Sequence, residues 1–126
     1  SRVADLLPAA QRQATVDALS ALQQPDGGWS TVAIGSYTRT DQTPADSRTD
    51  GYATGLVTLA LQASGLPASD ARVARGLDWL RRNQDRATGR WLAVSPNKQR
   101  DPESDPGRFM SDAATAYAVL SLTYRR

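Results

Sequence analysis

Two charged stretches carry the residues best suited to chemistry. "TRTD" (Thr38 to Asp41) and "NKQRDPESDPGRF" (Asn97 to Phe109) set Arg beside Asp, and the second ends on an aromatic ring. Arg39, Arg100 and Arg108 could anchor an anion, since a guanidinium offers paired donors to a carboxylate or phosphate. Asp41 belongs to the same loop set, Asp101 and Asp105 are the expected counter-charges, and Phe109 adds an apolar edge. The plainer alternative is that these charges pair among themselves or face water, where ion pairs contribute little. Asp50 and Asp112 read as helix caps rather than acids. Other chemistry lacks its residues. The chain has no Cys and no His, so a thiolate, a structural zinc site and a histidine base are excluded, and no metal or cofactor is expected. Ser and Thr occur without a base to activate them.

Four main helices must position those loops. Pro8 to Gln24 is dense in Ala and Leu, with Pro8 suited to a first turn and Pro25, Asp26, Gly27 and Gly28 ending the run. Residues 30–49 form a long loop. Asp50 caps a second helix, Gly51 to Ser64, whose inner stripe is read as Tyr52, Leu56, Leu59 and Ala63, widened by Val57, Ala60 and Leu61. Gly65 and Pro67 close it. Ser69 or Asp70 caps a third helix reaching about Gln84, with Val73, Leu77 and Leu80 inside and Trp79 beside them. A second irregular segment runs from about Asp85 to Met110. A fourth helix is expected from Ser111 or Asp112 to near Arg126, with Ala114, Tyr117, Ala118 and Leu120 as core. Apart from a short extended piece near "RWLAV", nothing alternates as strands do. The class is all-α.

Length and composition fit a single folded unit over residues 1–126. The chain is 40% hydrophobic with a net charge of +2, and no apolar run is long enough to span a bilayer. The start does not read as a signal peptide, and the compartment stays open. Lys98 is the only lysine among fifteen basic residues. So general an Arg bias reads as genome composition, and no basic stripe suited to nucleic acid emerges.

The helix ends repeat. "LQQPDGGW" (Leu22 to Trp29) has a second version in "RGLDWLRRNQDRATGRW" (Arg75 to Trp91), and the helices after them align through Thr54 with Thr115, Leu59 with Leu120 and Leu61 with Leu122. A period near sixty with two helices per unit is the pattern of an αα-hairpin array, here repeat 1 at about 8–64 and repeat 2 at about 70–126. "QQPDGGW" fits the Gln, three residues, Gly, one residue, Trp pattern of the QW repeat from Gln23. "RGLDWLRRNQ" resembles the basic, Gly, aromatic, Leu, Gln start of the same motif, with one extra residue between Gln84 and Gly89. The chain thus resembles the αα-toroid superfamily of squalene-hopene cyclases and protein prenyltransferase β subunits.

That resemblance implies a structural role on the outside of the toroid for the motif residues Gln23, Gln24, Gly27, Trp29, Trp79, Gln84, Gly89 and Trp91. Physically, a Gln at a helix end can serve orphan backbone groups, glycines let the chain reverse, and Trp covers the helix junction; ligand stacking by these indoles is the alternative. The family's catalytic sets are not matched. Cyclases protonate an alkene with a DXDD motif, whereas Asp41, Asp46 and Asp50 in "TDQTPADSRTD" are spread apart, and prenyltransferases hold zinc with Asp, Cys and His. An aromatic cage for a carbocation needs several rings, and only 6% of residues are aromatic. Four helices are also fewer than the five to seven pairs of a closed toroid. The apolar edges would close as a compact bundle, pair with another copy, or meet further repeats of a larger chain. The expected role is a non-catalytic binding or scaffold domain of an incomplete toroid with two long loops. The alternative is part of an isoprenoid-processing enzyme completed by other repeats or subunits, and a hydrophobic, isoprenoid ligand is the implied partner.

Overall fold

A computed structural model describes residues 8–35, 39–44, 46–96 and 98–125. Among the described residues it contains five helices and no strand: α1 Ala9–Ala21, α2 Thr31–Ile34, α3 Gly51–Ala63, α4 Ala71–Arg82 and α5 Asp105–Leu122. The "RWLAV" segment is irregular. α2 is a single turn inside the first long loop, started by Ser30, whose hydroxyl accepts the Ala33 N–H.

The starts of α3 and α4 follow from their caps. Asp50 accepts the Ala53 N–H, and Asp70 accepts the Arg72 N–H, each occupying a donor that the first helical turn cannot satisfy internally. α5 corrects the sequence reading. It begins at Asp105, six residues before the expected start, because Ser104 caps it through the Gly107 N–H and Pro106 sits in the first turn, where a missing N–H costs nothing. Asp112 is therefore mid-helix rather than a cap. Its exposed carboxylate lies 3.6 Å from Arg90.

α3 is central: it packs most extensively on α5 and next on α4. The N–H groups of its cap and of its first residue are held from outside, Asp50 donating to the Trp29 carbonyl and Gly51 to the Leu92 carbonyl. The buried stripe is Ala53, Val57 and Leu61 with Thr54, Thr58 and Gln62, while the expected Tyr52, Leu56, Leu59 and Ala63 are half-buried. On α5 the buried set is Gly107, Ser111, Ala114, Ala118 and Ser121. Leu120, expected inside, is 51% exposed, and Tyr117 is half-buried. The physical reason is one of size. These helices meet through small residues, so bulkier neighbours flank the seam instead of filling it. A Cβ on Gly55 would come within 2.8 Å of the Ala118 nitrogen, closer than packed atoms tolerate. Two hydrogen bonds cross the same seam, Gln62 Nε2 to the Ser121 carbonyl and Ser121 Oγ to the Gly55 carbonyl.

Two apolar clusters result. Trp29 joins Val16, Ala53, Val57, Leu61, Val73 and Leu77; Trp91 joins Trp79, Leu80, Ala114 and Ala118.

Candidate functional site

The two Trp turns share a hydrogen-bond plan. Trp29 donates its indole N–H to the Leu19 carbonyl at the end of α1, and Trp91 donates its own to the Leu80 carbonyl at the end of α4, each at 2.7 Å. The Trp29 backbone N–H donates to Thr54 Oγ1 and that of Trp91 to Thr115 Oγ1, the two threonines aligned from sequence. Gly27 and Gly89 both adopt positive φ, +93° and +74°, a region that L side chains rarely enter. Gln23 Nε2 donates to the Gly27 carbonyl and Gln84 Nε2 to the Gly89 carbonyl, so Gln84 is the counterpart of Gln23. Gln24 has a different task, reaching the Ser47 carbonyl in the first long loop. Trp79, 5% exposed, donates its indole N–H to Asp26 and Thr49. Burial would raise the Asp26 carboxyl, but hydrogen bonds from the Gly28 N–H, Thr49 and Trp79, together with the Arg82 charge, hold it below its ordinary value.

The long loops touch each other. Asp41 accepts the Gln99 N–H at 2.9 Å, besides the hydroxyl and N–H of Thr43. The Thr43 hydroxyl is the main reason that its carboxyl falls to about 2. Arg39, half-buried, donates to Thr43 Oγ1, the Pro44 carbonyl and the Ser95 carbonyl. Arg39 and Arg100 line one cavity of about 260 Å³, together with Arg48 and Asp46. Arg108 is not in that wall and lies 3.3 Å from Glu103. Asp101 caps a turn by accepting the Glu103 N–H, and Asp105 opens α5; neither forms an ion pair with the arginines among the described residues. Thr38 and Asn97 lie outside the described residues. Arg48 is absent from the sequence-based set, because "TDQTPADSRTD" draws attention to its three aspartates and only the fold sets its Arg in one wall with the second loop.

Beside this cavity lies an apolar recess of about 460 Å³ walled by Tyr52, Phe109, Met110, Ala113 and Tyr117. The Tyr52 and Tyr117 rings meet edge to face at 5.5 Å, and Phe109 is 75% exposed at the rim. Tyr52 and Tyr117, core residues by the sequence expectation, are half-buried at this recess. Their half-exposure follows from the small-residue seam of α3 and α5, which pushes both rings to its flank.

Among the described residues the buried acid is Asp50, 3% exposed. Its oxygens receive the Ala53 and Thr31 N–H groups and the Thr31 hydroxyl. Burial pushes its carboxyl up, against the pull of those bonds. With three donors on its two oxygens, Asp50 holds α2 to α3. No cluster of three or more potential metal ligands occurs among the described residues.

Helical hairpins joined by paired Gln and Trp turns around a small-residue seam make this a domain of the α/α-toroid type. Residues 3–122 match the squalene-hopene cyclase C-terminal domain, and the chain belongs to that family. No curated protein and no solved structure matches it. No helix among the described residues is long and apolar enough to cross a membrane.

Proposed function

We propose that this squalene-hopene cyclase-like domain acts as a non-catalytic binding or scaffold element. The observation that carries the reading is the open recess between Tyr52, Phe109 and Tyr117, an apolar surface with aromatic faces suited to a hydrophobic, isoprenoid ligand. The engagement of both Asp50 oxygens by Thr31 and Ala53 supports the non-catalytic part, because those donors favour an accepting carboxylate that ties α2 to α3. Residues of about 8–64 and 70–126 act in this reading as two repeats of one unit. Gln23, Gln24, Gly27, Trp29, Trp79, Gln84, Gly89 and Trp91 join their helices and do not bind ligand. The second reading is a share in an isoprenoid-processing site completed by further repeats or another subunit; exposed Leu120 and Val119 on α5 favour an additional packing partner.

Incubation of the purified chain with squalene in detergent micelles, followed by native mass spectrometry and solvent extraction, tests both. Retained squalene without a cyclised product supports binding. A cyclised product overturns the non-catalytic reading, and no retention overturns the binding one.

A further inference from the structure

Arg39 is immobilised without forming an ion pair among the described residues. Its three hydrogen bonds go to neutral oxygens, of Thr43, Pro44 and Ser95, and its Nε is buried without a partner among the described residues. The nearest acid in sequence, Asp41, accepts its hydrogen bonds from Thr43 and Gln99 and interacts with the Arg39 charge only at longer range, without an ion pair. Across the cavity, Arg48 places its Nε 3.0 Å from Asp46, and its two terminal nitrogens have no ion-pair partner among the described residues. Arg100 is exposed and makes no ion pair among the described residues. Three guanidinium groups against the single carboxylate of Asp46 therefore line one concavity. Guanidinium is the side chain best matched to a tetrahedral or planar oxyanion.

That concavity is not isolated. Val94 and Met110 belong to its wall and also to the wall of the apolar recess that holds Tyr52, Phe109 and Tyr117. A charged pocket and an apolar pocket back onto the same two residues, so one molecule could reach from one to the other along that wall.

We propose that the two cavities form one site for an amphiphile, with a compact oxyanion head, phosphate or carboxylate, among Arg39, Arg48 and Arg100 and an apolar tail against Tyr52, Phe109 and Tyr117. The tail half rests on the binding role given to the recess above; the head half is independent of it. Electrostatics sets the order of contact. The arginines recruit the head at a distance limited by salt, and burial of the tail holds it.

Calorimetric titration of the full chain with decyl phosphate, decanol and inorganic phosphate separates the halves. Decyl phosphate should bind at least about tenfold more tightly than either other probe, as expected when one or two charge-assisted contacts add to an apolar one. Arg100→Gln, at an exposed position, should bring decyl phosphate down toward decanol and leave decanol unchanged. Phe109→Ala, also exposed, should weaken decyl phosphate and decanol together. Equal affinity for decanol and decyl phosphate overturns the head while the apolar reading stands. Inorganic phosphate binding as tightly as decyl phosphate overturns the joined site. If neither decyl probe binds, both the proposal and the binding role of the recess fail.

Discussion

The turn around Trp29 and the turn around Trp91 use the same bonds in different company. At the first, Gln23 reaches beyond its own turn to the Arg72 carbonyl, Arg75 donates to the carbonyls of Gln24 and Pro25, and Arg82 donates to that of Asp26. All three arginines belong to α4, which thus packs down over the turn. At the second, Gln84 is exposed and bonds only within its turn, and Asp85 spends its carboxylate on the Ala87 and Thr88 N–H groups beside it. Among the described residues no helix side chain donates to the carbonyls of that turn, and apart from the Trp91 bonds its tie to a helix is the exposed Arg90–Asp112 pair with α5. The comparison separates two jobs of one motif: the Trp and Thr bonds close a hairpin, whereas the outward Gln and the loop carbonyls receive a neighbour.

The largest test of that division is removal of the indoles. Trp29→Ala and Trp91→Ala should each lower unfolding free energy by roughly 3 to 5 kcal/mol in urea melts, since both rings are buried and both close a hairpin. Trp29, wholly inaccessible and set in the larger cluster, should lie at the upper end. A loss below about 1 kcal/mol at either position would mean that the indole is not a structural staple. The glutamines should split the pair. Gln23→Ala strands the Gly27 and Arg72 carbonyls between α1 and α4 and should cost about 1 to 2 kcal/mol, while Gln84→Ala at the second turn should cost under about 0.5 kcal/mol. Equal losses would dissolve the distinction.

Much of this architecture is legible in the sequence, and the gaps have physical causes. The Gln, Gly and Trp spacing, the threonine alignment and the caps at Asp50 and Asp70 are local, and local chemistry is written in order along the chain. The inner faces of α3 and α5 are not. A period of 3.6 points equally to Leu56, Leu59 and Leu120, and only the close approach that Gly55, Ala114 and Ala118 permit decides that small residues fill the seam. Pro106 hid the true start of α5 because proline suits a first turn and a loop alike. In the candidate site, Arg39 and Arg100 were visible as charges, but their sharing a wall with Arg48, and the exclusion of Arg108, depend on contact between loops 58 residues apart at Asp41 and Gln99.

A smaller effect probes the covered turn through acid. Arg72, which carries the carbonyl that Gln23 contacts, holds Asp70 by a 2.8 Å ion pair, and that hydrogen-bonded partner takes the Asp70 carboxyl down to about 2. A carboxyl that ionises more readily folded than unfolded adds stability above its ordinary value near 4, and the contribution disappears as pH falls through 2. The pair is partly open to water, so the effect should be about 1 kcal/mol. Asp70→Asn, which keeps a capping side chain, should be less stable than the parent by that amount at pH 6 and approach it only below pH 2. A difference that persists in acid would place the Asp70 contribution in the cap and not in the ion pair.

The least effect is expected where neither turn is involved. Arg100 lies on the second long loop, exposed and outside every ion pair among the described residues, so Arg100→Ala should leave the melting temperature within the change that about 0.5 kcal/mol produces. The result discriminates because a positive charge that stabilises the fold is already spent, whereas one that can be deleted without loss is available to a ligand. A large drop in melting temperature would assign Arg100 to a structural ion network and remove it from the oxyanion pocket. An unchanged melt together with weaker binding of decyl phosphate would place the cost of three clustered guanidinium groups on recognition rather than on the helical stack that the two Trp turns hold.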